Sequence, residues 1–514
     1  MIDTTTMTRI DQALDVQRTT RPQAIALRDH DGKQISYDQL GQVVDDLAAD
    51  LSARGLGKGD RLLILAENCA ALVGLILATT RVGAVAVPIN ARMTEHELER
   101  IAEHADPRLT VYLSHVSSPG GEHAAHAGAA VWDTPLGTLH VGATRAQAVP
   151  EPSPSDAGAV AVILYTTGTT GTPKGVMLSH GNLLFGGSTS ARMRHMTAHD
   201  VILGVLPMTH VFGLTSMMVA SLLAGAQLWL FSRFAAPAVL DALRGEVTVM
   251  PAVPQIHALI MAEARTRGMD RLGNPHLRYV SSGAAPLDPD WKRRAEAFYG
   301  IALQNGYGMT ETTAGVTLTT NPPGVPDVSV GPPLPGVDLR LRDPGSDGVG
   351  EVQTRGPHVM QGYFRNPEAT AAAFDGDGYL CTGDLGRIDQ DGNLHIVGRS
   401  RELIIRGGFN VYPPEVEAAL NDHPLVLQTA VIGRTIEAGN EEVLAFCQVA
   451  DPNSVTEEVL QAHAAERLSA YKRPTRIIVT TSLPAAPTGK ILKNRLVETF
   501  RDDLQQPAAA PTSS

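Results

Sequence analysis

The segment Val160–Gly175 constrains this chain more than any other. Val160–Tyr165 is an apolar run that leads into Thr166-Thr-Gly-Thr-Thr-Gly-Thr-Pro-Lys-Gly175. Such a run, bounded by glycine, reads as a buried strand. Glycines let backbone amides approach an anion closely, and five threonines add hydroxyl donors. Lys174 adds a positive charge, and a helix pattern resumes near Ser179, so a helix N-terminus is also expected to favour the anion. The loop is not a Walker A motif: Pro173 precedes the lysine where that motif needs glycine, and Gly175 follows where it needs Ser or Thr. A phosphate-handling loop on a different scaffold is expected. A flexible Gly/Thr linker is the plainer alternative, but few linkers place a lysine after so regular a hydroxyl run.

The rest of the N-terminal part alternates helical and strand patterns. Ser36-x-x-Gln39 forms a capping box before Leu40, Val43, Val44, Leu47 and Leu51, and Gly55 ends that helix. Arg61–Ala66 reads as a buried strand, and Thr94-x-x-Glu97 opens a second helix with Leu98 and Ile101. This alternation predicts α/β architecture with largely parallel sheets. Residues 117–158, rich in Ala, Gly, Pro, Ser and His, read as less ordered by composition and as including variable surface loops, and Gln505–Ser514 as a disordered tail. A boundary is expected near Gly398–Arg401. Beyond it, Pro413–Leu420 and Val455–Ala470 read as helices, and Leu427–Ile432, Val443–Val449 and Arg476–Thr481 as strands.

At 514 residues the chain is too long for one core, so two or more domains are expected. A net charge of -12 argues against nucleic acid and anionic membrane as partners. Val201–Phe231 is apolar, but Pro207, His210 and several glycines interrupt it, which favours buried strand and helix over a membrane span. The N-terminus lacks an apolar signal core, so a cytoplasmic location is expected. Cys69, Cys381 and Cys447 form no close pair and read as small buried apolar groups.

The loop YTTGTTGTPKG resembles the signature of the adenylate-forming superfamily, which contains acyl-CoA synthetases, peptide-synthetase adenylation domains and luciferases. The resemblance runs from about Ser36 to Leu496. It implies a large N-terminal domain, 1–398, of parallel-sheet α/β layers with a small barrel-like β part. A hinge at 399–401, a small mobile α+β domain at 402–503 and a tail at 504–514 would follow. It implies ATP and Mg²⁺ as cofactors and CoA as co-substrate.

The same resemblance assigns residues. Thr166, Thr167, Gly168, Thr169, Thr170, Gly171 and Lys174 would handle phosphate. Asn305-Gly306-Tyr307-Gly308-Met309-Thr310-Glu311-Thr resembles the second family signature: the tyrosine stacks near adenine, the threonine contacts the α-phosphate and the glutamate holds Mg²⁺. Ser281-Ser282-Gly283-Ala284-Ala285-Pro would border adenine and the acyl pocket. Asp384 would bind the ribose hydroxyls, with Ile396 and Arg399 beside the nucleotide. Leu206-Pro-Met-Thr-His210-Val-Phe-Gly resembles a His motif beside the carboxylate, although a lone His in an apolar run is usually structural. The acyl pocket would comprise His210, Phe212, Ser216, Met217, Ser282, Gly283, Gly306, Gly308, Met309 and Ala314. Arg406, Gly407, Gly408 and Phe409 would face CoA, and Lys490 in Pro-Thr-Gly-Lys would be the catalytic lysine, delivered by rotation about Arg401.

Relatives usually carry Asp or Lys at that hinge. Malonyl-CoA synthetases resemble the chain around GGFNVYP but carry an arginine before the YGMTE tyrosine, where this chain has Gly306. An aryl or medium-chain monocarboxylate is therefore the expected acid. The expected partners are that acid, ATP and CoA, with a homodimer as an assembly and a lysine acetyltransferase acting on Lys490. A stand-alone enzyme loading a carrier protein, a luciferase-like oxygenase and a non-enzymatic binding module are the alternatives. The last predicts loss of a catalytic residue, yet Lys174, Glu311, Asp384 and Lys490 are all present.

Overall fold

The capping boxes set the first helices. Ser36 Oγ accepts the Gln39 N–H (3.2 Å) while the Gln39 side chain accepts the Ser36 N–H (2.9 Å), starting the helix Tyr37–Ala53. Gly55, at φ +87°, follows its end. Thr94 and Glu97 repeat the device for Glu95–Ala105. The fold is known from a computed structural model that describes residues 3–152, 154, 156–167, 173–283, 287–406, 409–436, 441–485 and 491–505.

Strands and helices alternate into two eight-stranded sheets. One runs Thr317–Leu318, Leu303–Tyr307, Tyr279–Gly283, Val249–Ala252, Val201–Gly204, Gln227–Leu230, Ile25–Arg28, Gln34–Ser36; it is parallel except at its two ends. The other runs Gly362–Tyr363, Pro173–Ser179, Val160–Thr167, Val85–Asn90, Arg61–Ala66, Leu109–Tyr112, Gly137–Val141, Ala130–Thr134, with only its middle strands parallel. Leu62 and Ile64 face the main core with the wholly buried helix segment Ala70–Thr80; Leu63 and Leu65 pack on the opposite face with Ile101. Burial on both faces explains why this strand is apolar throughout.

Residues 117–158 are not simply loop. Ser117 caps a helix, Ser118–His126, and Ala130–Thr134 pairs with Gly137–Val141 at the edge of the second sheet. Trp132, Leu139 and Val141 are buried there. Abundant Ala, Gly and His masked this sparse pattern. Val201–Phe231 resolves into a strand, a helical stretch Val211–Ala224 and a second strand. Among the described residues no helix is long and apolar enough to cross a membrane. Cys69 and Cys447 are buried, but Cys381 is only half-buried and accepts a hydrogen bond from Gln353 Nε2 (3.1 Å).

A four-stranded antiparallel sheet, Asp338–Arg342, Gly350–Arg355, Leu380–Ile388, Leu394–Arg399, completes the large domain. In the small domain, three strands (Val426–Thr435, Glu441–Val449, Arg476–Thr480) carry the helices Pro413–Asn421 and Glu457–Arg467 on one face. Leu496 and Phe500 cover the other, and the last described helix, Arg501–Gln505, takes in the first residues expected to be disordered tail.

Lys493 ties this small domain together. Its ammonium pairs with Glu402 (2.8 Å) and Glu417 (2.9 Å), from segments far apart in sequence. Removing the cation leaves two carboxylates facing each other. Lys493→Met is expected to cost about 1–3 kcal/mol, between exposed-pair and buried-pair values, read as a lower denaturation midpoint. Lys493→Arg should restore most of it.

Candidate active site

Antiparallel pairing of Val160–Thr167 with Pro173–Ser179 places Thr166 opposite Lys174. The phosphate loop thus joins two strands. The expected helix does start at Ser179, yet the seven-residue strand Pro173–Ser179 intervenes. At about 3.3 Å per residue, that carries the helix N-terminus too far to serve the loop, so this part of the anion reading is corrected. Gly168, Thr169, Thr170 and Gly171 lie outside the described residues, as do Ala284, Ala285, Gly407, Gly408 and Lys490.

Three sheets bring the other groups together. Leu303–Tyr307 ends in the first sheet, and a 3₁₀ turn, Thr310–Thr312, follows. The turn is tightly packed: a Cβ on Gly308 would sit 1.5 Å from the Ala314 carbonyl oxygen. Thr313 and Ala314 adopt left-handed φ values of +50° and +89°, and Thr313 Oγ1 donates to the His358 carbonyl (2.7 Å). Non-glycine residues rarely hold such conformations unless their surroundings impose them, as they often do at functional sites. Here glycine is required at 308 because the returning chain passes against it.

Glu311 is buried on this turn. Its Oε1 accepts the Tyr363 hydroxyl (2.9 Å), its carbonyl accepts the Met360 N–H (2.9 Å), and the Lys174 ammonium stands 4.8 Å from the Tyr363 ring centroid. Burial, then the Glu311 charge, pushes the Tyr363 phenol well above its ordinary range, so it remains a donor. Tyr363 was not singled out from sequence. Its only signal is the Gly-Tyr-Phe run, and its tie to Glu311 spans 52 residues. Glu311 presents a carboxylate on this turn with one oxygen held by Tyr363, a hard oxygen ligand of the kind that fits Mg²⁺.

Asp384 sits opposite Arg399 in the third sheet. Its Oδ1 accepts Arg399 Nε (3.0 Å) and its Oδ2 accepts the Tyr307 hydroxyl (2.5 Å). Burial, reinforced by the Asp384 charge, drives the Tyr307 phenol well above its usual value. Ile396 and Tyr307 both pack against the buried cluster Val330, Val352 and Leu394. The second signature and the Asp384 motif, read separately from sequence, therefore meet through one hydrogen bond.

On the acyl side, Ser282 pairs with Asn305 and Gly283 with Gly306 in neighbouring strands. Phe212 packs against the bare backbone of Gly283, its Cε1 3.3 Å from where a Cβ would stand. Ser282 Oγ, Asn305 Oδ1 and Thr317 Oγ1 are buried without a hydrogen-bond partner among the described residues. Such atoms cost stability in a closed core unless a ligand or water satisfies them. His210 is exposed, and its Nδ1 accepts the Phe212 N–H (3.2 Å), capping a turn that runs into the π-helix Leu214–Val219. π-helical turns often occur at functional sites. This one carries Ser216 and Met217, both buried, and Ser216 Oγ meets Ser190 Oγ at 3.1 Å. In the small domain, exposed Phe409 stacks on Tyr471 (4.7 Å, 27°), and Arg406 donates to the Arg473 carbonyl (2.6 Å).

Hydroxyls and paired charges gather at the strand ends of an α/β domain, an arrangement that suits a nucleotide. Comparison agrees: residues 14–364 match the AMP-binding enzyme family and residues 415–490 its C-terminal domain. The chain is 34% identical to sulfoacetate–CoA ligase of Cupriavidus necator, covering 91% of this chain and 92% of that one. It is 35% identical to feruloyl-CoA synthase of an Amycolatopsis species (93% and 96%). Among solved structures, ATP-bound MatB from Rhodopseudomonas palustris superposes with a TM-score of 0.83 at 34% identity, over 97% of this chain and 100% of that one. The o-succinylbenzoate CoA synthetase of Bacillus subtilis with its acyl-adenylate gives 0.78 at 28% identity (94% and 97%). The chain belongs to the AMP-binding enzyme family and is an AMP-forming acyl-CoA synthetase.

Gly308→Ala is expected to displace the 313–315 turn and cost more than about 2 kcal/mol, as overpacking against backbone does. Gly376→Ala, where a Cβ meets nothing within 4 Å, should be close to neutral. Thermal unfolding of the two variants checks the contrast.

Proposed function

We propose that this synthetase activates a monocarboxylic acid with an uncharged tail, of aryl, cinnamate-like or medium-chain type. The observation that carries the reading is Gly306. It offers no counter-charge to a second acid group, and a Cβ there would already crowd Leu318 Cδ1 and the Thr317 carbonyl, each at 3.1 Å. Phe212, Ser216, Met217 and Ala314, the other residues expected to line the acyl pocket, are also uncharged, which suits an apolar acyl tail. The relative named for ferulate supports an aryl acid. The sulfoacetate ligase is the counterpoint, and a doubly charged acid belongs in the test.

In the first step the carboxylate attacks the α-phosphorus of ATP and pyrophosphate leaves. Two anions must meet, so neutralising charge is the main requirement. Lys174 and Lys490 would supply cationic charge, Thr310 a donor to the α-phosphate, and Glu311 an oxygen ligand for Mg²⁺, which screens the phosphates when bound. Asp384 and Arg399 would hold the ribose, with Tyr307 against adenine. No general base is needed, because the carboxylate is already ionised. In the second step the CoA thiol attacks the acyl-adenylate carbonyl and AMP leaves. Rotation about Arg401 would exchange Lys490 for the face carrying Arg406 and Phe409.

Pyrophosphate release across an acid panel, with and without CoA, tests the reading. Cinnamate-type acids or octanoate should turn over with CoA. Malonate and sulfoacetate should show kcat/KM at least about tenfold lower, the minimal effect of one unpaired buried charge. Comparable turnover of malonate and octanoate would sink the pocket argument. Lys490→Ala should block adenylation yet spare thioester formation from added acyl-adenylate. Equal loss in both half-reactions would count against the role given to Lys490.

A further inference from the structure

Tyr363 is held from several directions. Its strand, Gly362–Tyr363, pairs with Pro173–Ser179, with Tyr363 opposite Val176. The Tyr363 N–H donates to Thr370 Oγ1 (2.9 Å), and the Phe364 N–H donates to the Gly175 carbonyl (2.7 Å). Gly362, at φ +135°, lets the chain pass Thr370, whose Cγ2 lies 2.7 Å from where a Cβ would stand. Beyond it Arg365 takes a left-handed φ of +48° and pairs with Glu151 at 3.0 Å. A side chain on so constrained a backbone is a rigid post.

That post touches two groups assigned to phosphate and metal. Its hydroxyl donates to Glu311 Oε1 and its ring faces the Lys174 ammonium. A carboxylate with one oxygen engaged by a fixed donor keeps a single orientation, and a cation over an aromatic face gains attraction without losing its charge. We propose that Tyr363 is a positioning residue of the ATP site, its hydroxyl orienting Glu311 for the Mg²⁺ of MgATP and its ring seating Lys174 for the phosphates. The inference rests on the roles given above to Glu311 and Lys174, and it adds the residue that couples them.

Calorimetric titration of the full-length protein with ATP, in MgCl₂ and in EDTA, separates the two contacts. Tyr363→Phe keeps the ring and removes the hydroxyl. It should bind ATP in EDTA as the wild type does and lose about tenfold of the tightening that Mg²⁺ confers, the scale of one hydrogen bond to a charged group. Tyr363→Leu removes both contacts and should also weaken binding in EDTA. If it fails to fold, Tyr363→Phe carries the test alone. Wild-type Mg²⁺ dependence in Tyr363→Phe overturns the proposal, and so does equal weakening with and without Mg²⁺, which signals packing alone. Glu311→Gln separates the two layers of argument. If it too keeps the wild-type Mg²⁺ dependence, the role of Glu311 fails; if only Tyr363→Phe does, the positioning role alone fails.

Discussion

A buried carboxylate, Asp384, ties two sheets of the large domain together at their ends. Asp384 is almost wholly out of solvent, and a charge in that position persists only if it is well paired. Arg399 answers one oxygen and the Tyr307 hydroxyl the other. Arg399 belongs to the last strand of the third sheet and Tyr307 to the last residue of a strand in the first. The interaction therefore joins two sheets at their ends, immediately before the segment that leads to the small domain. Break it, and Asp384 is left buried with one oxygen unpaired.

The Glu311–Tyr363–Lys174 chain joins the turn after the first sheet to the second sheet. The two bridges share the stretch Tyr307–Glu311, which explains the crowding there. Gly308 must lie against the Ala314 carbonyl for the chain to turn back, and Thr313 and Ala314 accept left-handed backbone as a consequence. Acidic and aromatic groups from three sheets thus converge on one short turn. An enzyme that must gather charge around phosphates has reason to place them there.

Much of this was legible in the chain. The capping boxes at Ser36 and Thr94, the buried strand Arg61–Ala66 and the helix Pro413–Asn421 follow from side-chain chemistry within a few residues. Within 117–158 the strands are hard to see in the chain because they carry few large apolar residues, and edge pairing rather than periodicity makes them strands. The helix after Ser179 was rightly expected, but the antiparallel strand before it was not, so its distance from the loop was misjudged. Tyr363 escaped because its importance lies in a partner 52 residues away.

By itself the sequence determined the local chemistry: a Gly/Thr/Lys loop, a Tyr-Gly-Met-Thr-Glu run, an Asp384 followed at short range by Arg399, and an uncharged Gly306 where a counter-charge could have stood. Residue identity is a local property, and motifs report it directly. The tertiary structure decided which of these groups touch. That Tyr307 binds Asp384, that Tyr363 links Lys174 to Glu311, and that Phe212 rests on Gly283 all depend on strand register and sheet order. Those are set by burial summed over the whole core, which no short window of the chain contains.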